Sequence, residues 1–298
     1  MNLRGFDAIS RPFSDGSPVY LCVLLLLLLT GAASGGELES RFAKYGETKV
    51  HYRSNGKGQE ALIFVHGWTC DLSFWQAQMG GFPGVRVVAL DLPGHGRSDK
   101  PQVNYTMDYF ARSIEAVMRD ARVQRAVLAG HSMGTPVIRQ FYRLYPEKTL
   151  GLVIVDGALR LMLPKERMGQ FISRLRSDYR STAPQMVDGM LTPIRDAKLK
   201  GEIRKAMLST PDHVAVSAME GMADEKLYEK TPIKVPVLAI LAKSPFWPDD
   251  TEQFLRTLAP TLEFYAWADV SHFLMMEKPQ EFNQTVRGFL LKNSLLKK

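Results

Sequence analysis

The sequence predicts an α/β fold: a mostly parallel sheet flanked by helices. Three observations lead there. Six short apolar runs punctuate the chain, most of them apolar throughout, as strands covered on both faces are. Stretches with helical spacing separate several of these runs. Strand and helix then alternate, which is the pattern of α/β layers rather than of segregated elements. At 298 residues, 45% hydrophobic and 23% charged, the chain suffices for one large domain or two small ones.

The elements follow in chain order. Residues 19–29 are almost pure leucine, with Arg4 and Arg11 before them and "TGAASGG" after. The run is short for a bilayer span, which takes about 20 residues. With small residues behind it, it reads as a secretory signal over residues 1–34. An uncleaved membrane anchor is the alternative. Export to a periplasmic or extracellular space is therefore expected, and cleavage would leave no stable membrane span. Cys22 lies in the apolar run, so the mature chain would keep only Cys70 and could form no internal disulfide.

"TKVHYR" (48–53) is expected as an early, antiparallel edge strand. "ALIFV" (61–65), "VRVVAL" (85–90), "AVLAG" (126–130), "LGLVIV" (150–155), "VPVLAIL" (235–241) and "LEFYAW" (262–267) are the strands of the sheet. Helices are expected over about 105–120, 133–145, 251–258 and 279–291. The interval 157–232 breaks the rhythm and reads as a helical cap inserted into a core of 35–156 and 233–298. Met168, Phe171, Ile172, Leu175 and Tyr179 recur there at helical spacing, as do Ala215, Ala218, Met219 and Met222. Seven of the fourteen methionines fall in this interval. They read either as plain core or as the adaptable apolar underside of a lid. The formal charge of +7 is spread without a basic block. That predicts a solvated surface and no nucleic-acid partner.

Chemistry is concentrated in "RAVLAGHSMGTPVIRQFY" (125–142). Gly130-His131-Ser132-Met133-Gly134 matches G-x-S-x-G between a predicted strand and a predicted helix, the context that motif needs. So sharp a turn crowds side chains two positions away, which explains both glycines. It also pushes the Ser132 hydroxyl out above the sheet edge. The helix starting there aims unpaired backbone N–H groups at the same space. The plainer reading is a serine that merely packs a turn.

Three more segments sit at strand ends: His66-Gly67-Trp68 after "LIFV", Asp91 to Pro101 after "VVAL", and "DVSHFLMMEKPQEFN" with His272 after the last strand. With the serine pentapeptide, these motifs resemble the α/β-hydrolase superfamily, in particular its esterase and lipase-like branch with a helical cap. The resemblance runs over about residues 45–292. It implies Ser132 as nucleophile, His272 as its base, and the backbone N–H groups of Trp68 and Met133 as the oxyanion hole. It implies no cofactor. His66 and His95 are expected as structural loop histidines and His131 as a neighbour shaping the turn. His51 and His213 have no constellation around them. No histidine spacing suggests a metal site.

One member of the pattern is missing. In most of the superfamily the carboxylate that orients the histidine follows the strand corresponding to "VPVLAIL". Here that segment reads "AKSPFWPDD", with Ser244 or Pro245 in the expected place. Asp156, at the end of "LGLVIVD", is the first candidate. Asp249 and Asp250 are alternatives, although Asp250 to Gln253 also reads as a helix N-cap with a capping box. Asp269 would have to fold back. The plainer role for Asp156 is to cap the first helix of the insertion.

The expected activity is hydrolysis of an ester-like bond in a small or medium, mainly apolar molecule. Cleavage of a C–C bond, amide, lactone or thioester by the same residues remains open, as does a binding protein that has lost turnover. Trp75, Phe246, Trp247 and Phe273 are expected either in the pocket or in the core.

Overall fold

The computed structural model describes residues 38–296; the segment read as a signal lies outside them. Eight strands form one sheet: β1 (Glu39–Tyr45), β2 (Thr48–Asn55), β3 (Glu60–Val65), β4 (Val87–Leu90), β5 (Arg125–His131), β6 (Thr149–Val155), β7 (Val237–Ala242) and β8 (Leu262–Trp267). Their order is β1-β2-β4-β3-β5-β6-β7-β8. The pairs β1–β2 and β2–β4 are antiparallel, and all the others are parallel.

The burial pattern explains the register of hydrophobicity. β4 and β7 are buried at every position, and β3, β5 and β6 at all but one. These are the runs without alternation. The edge strand β1 is exposed at most positions. Its sequence, ESRFAKY, carries no continuous apolar signal. The expectation that 48–53 forms the edge is therefore corrected: it is β2, with β1 outside it.

α1 (Met107–Asp120) and α2 (Gly134–Leu144) follow β4 and β5, and α7 (Thr251–Leu258) follows β7. A short helix, α8 (Leu274–Glu277), precedes the last one, α9 (Pro279–Lys292). Thr106 caps α1 by accepting from Tyr109 N–H, which satisfies one otherwise unpaired donor. Trp75 is fully buried, stacked on Phe64 at 4.7 Å between ring centres and 5.9 Å from Phe282 of α9. Burying each such ring contributes about 1.5–3 kcal/mol. Trp75 is thus core.

Between β6 and β7 the described residues contain α3 (Lys165–Ser177), α4 (Tyr179–Leu191), α5 (Ala197–Met207), α6 (Asp212–Met222) and no strand. Asp178 and Asp196 cap α4 and α5 by accepting backbone N–H groups. Leu175, Met207, Ala215, Ala218 and Met219 are buried. This insertion is tied to the loop after β3. Trp68 Nε1–H donates to Ala215 O at 2.8 Å, and Thr210 Oγ1–H donates to Thr69 O at 3.1 Å. Its returning segment is gripped by α2: Arg139 bonds Thr231, and Arg143 donates to Leu227 O and Glu229 O at 2.9 and 2.8 Å.

Candidate active site

The chain turns from β5 into α2 at Ser132, whose φ of +52° lies in the left-handed region that ordinary side chains avoid. Surrounding groups enforce it. Ser132 N–H donates to Val155 O at 3.0 Å, and Thr135 N–H donates to Ser132 O at 2.9 Å. A Cβ on Gly130 would lie 2.3 Å from Gly134 O, and one on Gly134 would lie 2.5 Å from Val65 O. Both glycines are required by close backbone approach. Among the described residues, Ser132 Oγ has no hydrogen-bond partner, and no acceptor engages the backbone N–H of Trp68 or Met133.

The loop after β8 brings His272 to this turn. His131 Nε2–H donates to His272 O at 2.8 Å, and the two rings lie 4.7 Å apart. That bond leaves the buried Nδ1 of His131 without a partner. Burial, reinforced by the neighbouring His272, holds the His131 pKa well below the usual imidazole value. His131 is therefore neutral and shapes the turn, as expected.

Asp156 stands directly after β6, with φ of +43°. Its N–H is bonded to Ile240 O at 2.9 Å. Its carboxylate receives three donors. Oδ2 accepts from His272 Nδ1 at 2.6 Å. Oδ1 accepts from Ala242 N–H at 2.7 Å and from Trp247 Nε1–H at 3.2 Å. A carboxylate only accepts, so His272 carries a proton on Nδ1, and in the neutral ring the lone pair is then on Nε2. The side chain of Asp156 is 6% exposed and that of His272 is 21% exposed, so the carboxylate is shielded while the histidine is only partly so.

The other candidate carboxylates lie elsewhere. Asp250 pairs with Arg160, Oδ1 with Nη2 and Oδ2 with Nη1 at 3.0 Å. Its carboxylate makes no capping bond to α7, so the expected capping box is corrected: the guanidinium draws the side chain away. The same ion pair holds the Asp250 pKa below the usual carboxylate value. Asp249 and Asp269 are exposed. The cap of the first inserted helix falls at Pro164, not Asp156. Phe273 is buried core, and Phe246 is 60% exposed.

Two histidines brace the strand ends. His66 Nε2 accepts from Leu92 N–H at 3.0 Å, and the His95 ring lies tilted beside that of His66, with 4.9 Å between centres. Burial drives both pKa values down, that of His95 to about 3. The expectation that His51 stands alone is overturned. His51 Nδ1 bonds Asp91 Oδ2 at 2.6 Å, and Nε2 bonds Ser40 Oγ at 2.9 Å. Asp91 also accepts from Leu72 and Arg97 N–H at 2.8 and 2.9 Å. Burial pushes its pKa up, but the His51 bond and these two donors outweigh burial and leave it below the usual value. These contacts anchor the loops after β3 and β4. No group of three or more candidate metal ligands occurs among the described residues.

The comparisons agree with this architecture. Residues 60–191 match the family model described as the alpha/beta hydrolase fold. A 2-hydroxy-6-oxononadienedioate/2-hydroxy-6-oxononatrienedioate hydrolase from Paraburkholderia phymatum is 29% identical over 265 residues, which cover 82% of this chain and 91% of the relative. A bifunctional esterase/perhydrolase from Acinetobacter calcoaceticus is 34% identical over 119 residues, 39% of this chain and 43% of its own. The solved esterase from Exiguobacterium antarcticum superposes with a TM-score of 0.75 at 18% identity, covering 85% of this chain and all of that one. In its strand order, its serine turn after β5 and the sequences it resembles, this chain has the α/β-hydrolase fold.

Proposed function

We propose that this chain is a serine hydrolase that cleaves ester-like bonds of a small or medium, mainly apolar molecule through an acyl-enzyme on Ser132. The observation that carries the reading is the 2.6 Å bond from His272 Nδ1 to Asp156 Oδ2, made on a loop that is hydrogen-bonded to the residue before Ser132. It leaves Nε2 of the neutral His272 ring available as the base for a serine held in a strained turn, the residue after the one that bonds the His272 loop. A serine hydroxyl needs such a base to become nucleophilic.

In the proposed reaction Ser132 Oγ attacks the carbonyl carbon as His272 Nε2 takes its proton. The oxyanion is held by the N–H groups of Trp68 and Met133, donors of a kind worth about 100- to 1,000-fold in rate. His272 returns the proton to the departing alcohol. Water, deprotonated by the same nitrogen, then releases the acid and frees Ser132. The inserted helices act as a cap over this centre. The leucine-rich N-terminal segment exports the protein, which N-terminal sequencing of the secreted form tests.

A second reading is favoured by the Paraburkholderia relative, whose named substrates bear an oxo group and no ester. The same serine and histidine would then break a carbon–carbon bond next to a carbonyl. Such substrates are dianions. The test is hydrolysis of p-nitrophenyl acetate, butyrate and octanoate by residues 35–298, with Ser132→Ala alongside. Turnover that disappears in the variant supports the proposal. Equal turnover in both excludes Ser132 as nucleophile.

A further inference from the structure

The segment after β7, Ser244-Pro245-Phe246-Trp247, contributes no carboxylate to the site, yet it reaches it. Trp247 Nε1–H donates to Asp156 Oδ1 at 3.2 Å. The indole is delivered by a tight turn. Ser244 O accepts from Trp247 N–H at 3.2 Å, and Ser244 Oγ accepts from Phe246 N–H at 3.2 Å. Pro248 O then accepts both Thr251 N–H and its hydroxyl, which pins the far end of the turn to α7. Trp247 itself is only partly buried, beside the strongly exposed Phe246. The ring packs its partly buried face against the core, and its one polar atom is bonded to a buried carboxylate, a contact that core packing alone does not require.

The geometry of Asp156 shows what the contact does. A carboxylate on a short side chain rotates about its last bond, and one donor does not fix that rotation. With Ala242 N–H and Trp247 Nε1–H both on Oδ1, the plane of the group is set and Oδ2 is the oxygen left for His272. We infer that Trp247 is a positioning residue: its indole N–H orients the Asp156 carboxylate, and through it His272. The inference rests on the proposed hydrolase reading, deepens it, and assigns a role to the loop that lacks an acid.

Trp247→Phe tests it, because the ring is kept and the donor is lost. Kinetics on p-nitrophenyl butyrate should show kcat lowered roughly tenfold, the scale of one hydrogen bond to a charged group, with KM within about twofold. A purely structural role would lower the melting temperature and leave kcat of the folded variant unchanged. Unchanged kcat in a folded variant overturns the inference.

Asp156→Asn, measured beside it, separates the two claims. If that variant loses orders of magnitude while Trp247→Phe behaves as wild type, only the role of Trp247 fails. If Asp156→Asn is also near wild type, the role of Asp156 fails with it, whereas the hydrolase reading itself fails if Ser132→Ala keeps wild-type turnover. A direct measurement guards against misfolding of Trp247→Phe. Of the four indole N–H resonances, that of Trp247, assigned by specific labelling, should be shifted by the carboxylate and move most in Asp156→Asn. A Trp247 resonance indifferent to Asp156 overturns the inference.

Discussion

Replacing Asp156 with Asn should abolish most of the activity while leaving the fold nearly untouched, and the contacts say why. Oδ1 accepts from Ala242 N–H and Trp247 Nε1–H. An asparagine oxygen there keeps both bonds. Its NH₂ then replaces Oδ2, 2.6 Å from His272 Nδ1. Two donors cannot share that contact. The imidazole relieves the conflict by moving its proton to Nε2, so that Nδ1 accepts from the amide. Nε2, the proposed base, is then a donor and cannot take the hydroxyl proton. In serine hydrolases this wrong-tautomer effect is worth about 10⁴-fold in kcat, or roughly 5.5 kcal/mol of barrier. Because each buried polar group keeps a partner, unfolding stability should change by no more than about 1 kcal/mol. The assay is kcat on p-nitrophenyl butyrate paired with urea unfolding of the same sample. A variant within about threefold of wild type, with its fold intact, refutes the reasoning.

Acid should destabilise the protein before its carboxylates titrate. Burial holds His95 at a pKa of about 3, against 6.5 when unfolded. Between these values the unfolded chain binds the extra proton, so stability falls as pH drops below 6.5. At pH 5 His95 alone costs about 2 kcal/mol, and His66 and His131 shift in the same direction. Asp91 does not contribute in this window, because its depressed pKa keeps its stabilisation intact until the pH falls below 3.8. Urea unfolding at pH 7.5 and pH 5 measures this; equal stability at the two would contradict it. Asp250→Asn should leave kcat within about twofold, since its partner is the surface Arg160 and not His272. A loss of orders of magnitude there would return Asp250 to the list of candidate acids.

How much of this was legible in the sequence varied with how local each signal is. Central strands announce themselves because burial on both faces removes alternation, as in "AVLAG" and "VPVLAIL". The serine turn was legible because two backbones approach so closely that only glycine fits at 130 and 134. Asp156 was legible as a candidate because an apolar strand ends on it, but its contact with His272 spans 116 residues and left Asp249 and Asp250 open. β1 gave no signal because an exposed edge strand carries polar residues. The pairing of Arg160 with Asp250 spans 90 residues, and the local capping pattern pointed elsewhere. His51 looked solitary because its partners Ser40 and Asp91 reach it only through sheet pairing and the loop after β4.

The central claim is that Ser132 is an activated nucleophile. A fluorophosphonate probe tests it most directly, with the adduct mapped by peptide mass spectrometry in the wild type and in Ser132→Ala. The account predicts a single adduct on Ser132, slowed in Asp156→Asn and absent from the alanine variant. A folded wild-type protein that stays unlabelled at Ser132 would contradict it.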